Sequence, residues 1–144
     1  MTHRLVLTDS TDDAVRQTIL APLRAYNRSR VEAAPHRGLA IELQDAGGAT
    51  CGGLWGATGF DWLFVQLLVV PDALRGQGIG RRLMAMAEAE ARRRGCHGAW
   101  LDTFDFQARP FYERLGYSCF GELADYPPGH VRYFMRKDLV EPAG

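Results

Sequence analysis

The hydrophobic positions of the chain repeat with a period of two over several short stretches. Residues 38–45 alternate in this way, which is the pattern of a half-buried strand. Gly47-Gly48 then predicts a hairpin turn, with residues 49–58 as the returning strand. Residues 61–70 are almost continuously apolar and therefore predict a strand in the buried middle of a sheet. Residues 3–9 also alternate and predict a first strand of their own.

Two longer segments have the pattern of helices. Ser10 or Thr11, followed by Asp12 and Asp13, is a start signal for a helix that runs to about residue 31. Pro22 lies inside it, so the sequence predicts either one bent helix or two short ones.

The second helix is predicted over residues 78–94. Its apolar side is expected to contain Ile79, Leu83 and Met86, with Glu90 in line and Ala87 beside them. Arginines crowd its last turn, where the helix dipole favours cations, and Gly95 follows as a stop signal.

The remaining third of the chain predicts a strand over 98–104, a short helix over 107–116 and two strands around the loop "DYPPGH". The order of elements is thus mixed, and it predicts an α/β (or α+β) fold with a mixed sheet. With 144 residues and no linker or repeat, the chain is expected to form one domain over residues 1–144.

Composition narrows the class of partner. The 17 basic and 17 acidic residues cancel, which argues against nucleic acid as the main partner. Cysteine occurs three times without a CxxC pattern or clustered histidines, so we expect reduced thiols, no metal site and a cytoplasmic location. No signal peptide or membrane span is predicted.

The stretch "VVPDALRGQGIGRRL", residues 69–83, joins the buried strand to the second helix. Its glycines permit unusual backbone angles and a close approach by a ligand. The start of the helix presents unpaired N–H groups and the positive end of the dipole. Arg75, Arg81 and Arg82 add positive charge. Together these features predict a phosphate-binding turn, although a glycine-rich connection that binds nothing has the same composition.

Two familiar phosphate loops do not fit this turn. A P-loop requires Gly-Lys-Ser/Thr at the start of the helix, and here the residues are Gly-Arg-Arg. A dinucleotide fingerprint has the spacing GxGxxG after the first strand of a βαβ unit, whereas this turn has GxGxG late in the chain.

Arg75-x-x-Gly78-x-Gly80 matches the pyrophosphate loop of coenzyme A acetyltransferases, and "DFQARPFYERLGY" resembles the motif that follows in those enzymes. The chain thus resembles the GNAT superfamily of N-acetyltransferases, strongly over about residues 60–120. The resemblance implies a central, mostly antiparallel twisted sheet of about six or seven strands flanked by about four helices. It also implies acetyl-CoA as co-substrate. A homodimer is a further expectation from the resemblance, because dimers are common in that superfamily.

Within the resemblance, the pyrophosphate would be held by the turn and the first residues of the second helix. The pantetheine arm would bond to the backbone of the strand before the turn, which splays from strand 98–104. The implied cofactor-binding residues are Leu68, Val69, Val70, Arg75, Gly76, Gln77, Gly78, Ile79, Gly80 and Arg81, with Asp105 and Tyr112.

Tyr112 matches a tyrosine that many members keep near the thioester sulfur. Its phenol, whose ordinary pKa is ~10, would protonate the departing thiolate; a core aromatic beside Phe111 is the alternative. Some members have a glutamate as general base where this chain has Gln66. Glutamine cannot accept a proton in that way but can orient an amine or a water. Asp102 or Asp61 could accept a proton through water, or either could be a structural carboxylate.

Asp105 replaces an asparagine of the motif and is expected to cap the helix that follows. The acceptor pocket is expected to draw on Tyr26, Trp55 and Tyr126, with Asn27, Trp62, Glu122, Asp125 and His130 also available. The tryptophans could equally be ordinary strand packing, and His130 a surface residue.

The function predicted from the sequence is direct transfer of an acetyl group from acetyl-CoA to a primary amine of a small molecule or peptide, with no covalent enzyme intermediate and no metal. Three rivals stay open: transfer of a longer acyl group, a catalytically silent CoA-binding or regulatory module, and a nucleotide-binding domain. The amine itself is not specified by the sequence.

Overall fold

The computed structural model describes residues 2–140. It divides into two compact units, one ending at Ala33 and the other beginning at Ala34. The predicted single domain over 1–144 includes Met1 and residues 141–144, which lie outside the described part, and it stays a prediction.

The first unit contains one long helix, α1 (Asp13–Arg30). Asp12 is its N-cap, and the Asp12 carboxylate accepts a hydrogen bond from the backbone N–H of Val15 at 2.9 Å. Pro22 lies inside α1, so of the two alternatives left open by the sequence, the structure has one helix. The strand predicted over residues 3–9 is wrong, because an alternating pattern makes a strand only where a neighbouring strand bonds to it; no described strand pairs with this segment.

The second unit contains a six-stranded mixed sheet in the order β1-β2-β3-β4-β6-β5. Neighbours in the sheet are antiparallel except β3 and β4, which are parallel. The fold class predicted from the sequence is therefore confirmed. The strands are β1 (Arg37–Gln44), β2 (Thr50–Gly59), β3 (Trp62–Val69), β4 (Gly98–Phe104), β5 (Ser118–Ala124) and β6 (Val131–Asp138).

Two helices of this unit, α2 (Ile79–Arg93) and α3 (Arg109–Arg114), lie between strands in the sequence, and a 3-10 turn covers Asp72–Leu74. The three α-helices of the described residues are one fewer than predicted. The predicted apolar side of α2 is wrong in part. Met86 is 55% exposed, whereas Leu83 and Ala87 are buried as predicted, together with Met84, Glu88 and Ala91.

The core of the second unit forms between α2 and the sheet. Leu63, Met84, Leu101 and Met135 are almost completely buried there. Each belongs to a different element, so α2 is fixed against the middle of the sheet by apolar burial.

One buried carboxylate interrupts this core. Glu88 of α2 accepts hydrogen bonds from the Tyr117 hydroxyl at 2.9 Å and from Lys137 Nζ at 2.7 Å. The three residues connect α2, the turn before β5, and β6. Both negative oxygens therefore have partners, as a buried carboxylate requires. No helix within residues 2–140 is long and apolar enough to cross a membrane.

Candidate active site

The site begins where β3 and β4 stop pairing. Their parallel ladder runs from Trp62 opposite Gly98 to Val65 opposite Leu101 and ends there. The next residue, Gln66, is an extra residue in β3: on the β2 side Gly56 pairs with Val65 and Trp55 with Leu67. Such a bulge bends a strand, and the rest of β3 has a bonded neighbour on one side only. The divergence expected between these two strands is thus present.

The glycine turn lies beyond this divergence. Gly76 and Gly78 have φ angles of +81° and +76°, a conformation that side chains with a Cβ rarely adopt. At the start of α2, the first backbone N–H that has a backbone acceptor is that of Arg82. It donates to the Gly78 carbonyl at 3.1 Å. The amides of the residues just before it therefore lack intrahelical acceptors and can bind an anion.

A pocket of about 500 Å³ lies along this turn. Arg75, Arg81 and Arg114 supply its positive charge, although Arg75 Nε also pairs with Asp72 at 3.1 Å. Its other wall is apolar and comes from β3 and α3. Of the predicted cofactor-binding residues, those that line it are Leu68, Val70, Arg75, Gly76, Gly78, Ile79, Gly80 and Arg81; Val69 and Gln77 do not.

A second pocket of about 330 Å³ adjoins the first, and the two share Leu68, Arg75 and Ala108 as lining residues. It brings together all three predicted catalytic residues, Gln66, Asp102 and Tyr112. They come from β3, β4 and α3, three elements that meet where β3 and β4 separate.

Tyr112 is 8% exposed. Burial, and then the negative charge of Asp102, raise the pKa of its phenol to about 12. The rings of Phe111 and Tyr117 lie edge-on to it, with centroids at 5.1 and 6.1 Å. The phenol is therefore held firmly and stays protonated at neutral pH, as a proton donor must.

Asp102 is paired with Arg132, a residue to which no sequence motif pointed. Its Oδ2 lies 2.8 Å from Arg132 Nη2, and Arg132 is adjacent to β4 because β6 pairs with it. This hydrogen bond is the main reason that the pKa of Arg132 is raised. Asp61, the other carboxylate considered, is not in this pocket: it precedes β3 and lines a separate cavity of about 370 Å³ beside Glu90 and Arg94.

The prediction that Asp105 caps α3 is wrong. Ala108 is the N-cap residue and makes no side-chain cap bond. Asp105 instead accepts the backbone N–H of Val131 at 3.0 Å and contacts His130 Nδ1 at 2.9 Å. It thus ties the β4–α3 turn to the β5–β6 loop, and it lines neither of the two adjoining pockets.

The predicted acceptor residues are spread over the chain. Trp55 is 58% exposed and lies opposite Leu67, which lines the second pocket. Tyr126, 45% exposed, stacks on Phe104. Tyr26 belongs to α1 in the first unit, and its role stays a prediction. Trp62 packs edge-on against His97 instead of facing a pocket.

Several lining residues were missed. Phe106 and Gln107 line the second pocket, and the Gln107 side chain holds the turn by accepting the Phe104 N–H at 3.0 Å. Arg114 lines the first pocket. Phe106, Gln107 and Arg114 lie inside the segment "DFQARPFYERLGY". The motif could therefore have identified them as lining residues. No local motif could have identified Arg132. It lies thirty positions after Asp102 in the sequence and comes close to it only because β6 pairs with β4.

Comparison with known proteins defines the class to which this fold and site belong. The family model described as the acetyltransferase (GNAT) family matches residues 9–117, more than half of the chain. The chain belongs to the GNAT family of acetyltransferases.

Individual proteins that are similar to this chain are also acetyltransferases. The chain is 43% identical over 132 residues to acetyltransferase Atu2258 of Agrobacterium fabrum, a match that covers 92% of this chain and 96% of that protein. It is 44% identical over 119 residues to the blasticidin-S acetyltransferase of Streptomyces morookaense, covering 81% and 88%. A crystal structure of an acetyltransferase from Agrobacterium tumefaciens superposes with a TM-score of 0.87 at 42% identity, covering 94% and 99%.

Proposed function

We propose that the protein transfers an acetyl group from acetyl-CoA directly to a primary amine of a small molecule or peptide. The observation that carries this proposal is the pair of adjoining pockets at the point where β3 and β4 separate. One contains an anion-binding turn, and the other contains a buried phenol beside a carboxylate and an amide.

The residues fit the proposed donor. The amides at the start of α2 and the side chains of Arg81 and Arg114 suit its phosphates. The unpaired edge of β3 beyond Gln66 offers N–H and C=O groups to its amide-containing arm. When bound, acetyl-CoA supplies the acetyl group as an activated thioester.

Each catalytic residue has a distinct task in this proposal. The amine nitrogen bonds to the acetyl carbon, the carbon–sulfur bond breaks, and the amine loses one proton. Tyr112 donates its phenolic proton to the sulfur. Asp102 accepts the proton of the amine through water and is held in place by Arg132, while Gln66 orients the amine by hydrogen bonding. The rate gain comes mainly from this positioning.

The first test is thermal unfolding with acetyl-CoA, CoA, ATP or NAD, combined with an assay of thiol release across a panel of amines. A ligand that binds only the native state raises the melting temperature. We expect acetyl-CoA and CoA to do so, ATP and NAD to have little effect, and at least one amine to release thiol. Stabilisation without release from any amine would favour a silent CoA-binding module.

A matched pair of variants tests the turn. Gly78→Asp adds a negative side chain to the proposed phosphate site, and we expect it to weaken CoA binding by about 100-fold or more, since it opposes a charge interaction. Gly95→Asp is the control: Gly95 has a similar φ of +84° and equal free space at its Cβ position, and it follows the C-terminal end of α2, whereas Gly78 precedes the N-terminal end. Equal loss in both variants, or in neither, contradicts the assignment.

A further inference from the structure

A row of parallel aromatic rings begins at the second pocket. Phe106, which lines that pocket, stacks on Phe104 with ring centroids 5.2 Å apart and planes 8° apart. Phe104 in turn stacks on Tyr126 at 5.8 Å and 5°. His130 meets Phe106 edge-on at 5.0 Å. The orientation of Phe106 is therefore fixed by its neighbours and does not depend on a ligand.

Phe106 is nevertheless 57% exposed. Across the gap between β3 and β4, Leu67 lines the same pocket and is 53% exposed, and Trp55 lies opposite it on β2. Large apolar side chains grouped around a pocket, rather than scattered singly, mark a ligand-binding surface. The mouth of this pocket thus has apolar groups on both sides.

The same pocket also contains polar groups from three elements. Gln66, Asp102 and Tyr112 offer an amide, a carboxylate and a phenol there, which suit an amine. Its volume of about 330 Å³ is near the lower end of the ~300–1,000 Å³ usual for ligand pockets. The donor's thioester must reach the same pocket, because Tyr112 lines it. The space that remains suits only a small acceptor, with its amine among these polar groups and its apolar face towards Phe106.

We propose that the acceptor is a small primary amine that carries a planar aromatic or heteroaromatic ring, and that Phe106 determines this preference by contact with the ring. The inference rests on the proposed function, since it names the substrate class of the same site. Aromatic pairs contribute beyond the area that they bury, so a planar ring is favoured over a saturated ring of the same size.

The experiment compares benzylamine with cyclohexylmethylamine, which have the same chain length and differ in the planarity of the ring. We expect kcat/KM to be about 3- to 10-fold higher for benzylamine, and the ratio to fall towards one in Phe106→Ala. Phe106→Leu, which keeps apolar bulk, should lose the ratio as well. Phe120→Ala is the control, because Phe120 is 56% exposed on β5 and lines neither pocket, and its ratio should match that of the wild type.

A second measurement does not depend on turnover. The phenylalanine rings of the protein are isotopically labelled for NMR. The Phe106 signal is assigned by its loss in Phe106→Leu. It is then followed as each amine is added, with and without CoA. Benzylamine should shift this signal at concentrations where cyclohexylmethylamine does not.

The outcomes separate this inference from the proposed function. Turnover of both amines with equal kcat/KM, or a preference that survives in Phe106→Ala, overturns the aromatic subsite and leaves the acetyltransferase proposal standing. A benzylamine-specific shift of Phe106 without turnover of any amine supports the subsite and counts against transfer. Neither turnover nor a shift overturns both.

Discussion

Tyr112 combines two properties that a proton donor to sulfur needs. It lies on α3 and is buried against its aromatic neighbours, so its position is fixed. Burial and the nearby Asp102 charge raise its pKa to about 12, well above the ~8.5 typical of a thiol. The phenol therefore stays protonated at neutral pH. Because it is a weaker acid than a thiol, it gives up its proton only to the negative charge that develops on sulfur while the carbon–sulfur bond breaks.

We expect Tyr112→Phe to lower kcat by about 100-fold or more, the usual contribution of a positioned acid, while the dissociation constant of acetyl-CoA changes less than about 2-fold. In the wild type the rate should rise with pH as the amine loses its proton and should not fall again below pH 10, because the pKa of Tyr112 is about 12. Stopped assays across pH 6–10 check this. A falling limb near pH 8–9 would assign the donor role to another group.

Local sequence motifs located Tyr112, Gln66 and the glycine turn, because these residues lie in or next to short continuous patterns. Asp102 was identified as a carboxylate on the neighbouring strand, but its ion pair with Arg132 was not. That pair depends on the register of β4 against β6, in which Asp102 faces Phe134 and Arg132 faces Phe104. Register is set by the whole sheet, and a single sequence does not specify it.

At the scale of elements, α2 is held to the sheet by more than its apolar side. The predicted side of α2 included Glu90 and omitted Glu88, which is the acidic residue on the buried face. Periodicity assigns charged residues to the solvent side, and it fails where a carboxylate has two partners from other elements, here Tyr117 and Lys137. The ion pair with Lys137 connects α2 to β6 across 49 residues of sequence.

Glu88→Gln should lower the free energy of unfolding by about 1–3 kcal/mol, because it removes the charge that pairs with Lys137 while the site stays buried. Urea denaturation followed by circular dichroism measures the change. Glu113→Gln is the matched control: its ion pair with Arg109 is longer, 3.6 Å, and more exposed, so the expected change is under about 0.5 kcal/mol. Equal effects in both variants would mean that Glu88 contributes no more than a surface charge.

The whole molecule is neutral, yet its charge is unevenly distributed. The formal net charge is zero, while the first pocket has three arginines. The overall balance of charges gave no indication of this local concentration. Binding of a phosphate-bearing ligand should accordingly depend on nearby arginines and not on the net charge.

Raising sodium chloride from 50 to 500 mM should weaken CoA binding about 10-fold, because salt screens exposed charges beyond roughly one Debye length. Dephospho-CoA, which has one phosphate fewer, should lose less. Isothermal titration calorimetry at several salt concentrations gives both values. Affinities that do not change with salt would show that backbone amides, without the arginines, hold the phosphates.

The Glu88–Lys137 ion pair also affects how the protein itself reacts with an acyl donor. Lys137 is the single lysine among 144 residues, and its nitrogen is hydrogen-bonded to a buried carboxylate at 2.7 Å. A nitrogen engaged in this way has no free lone pair with which to attack a thioester. This lysine is therefore not free to be acylated by a reactive acyl donor. Arginine side chains do not react with such a donor at neutral pH.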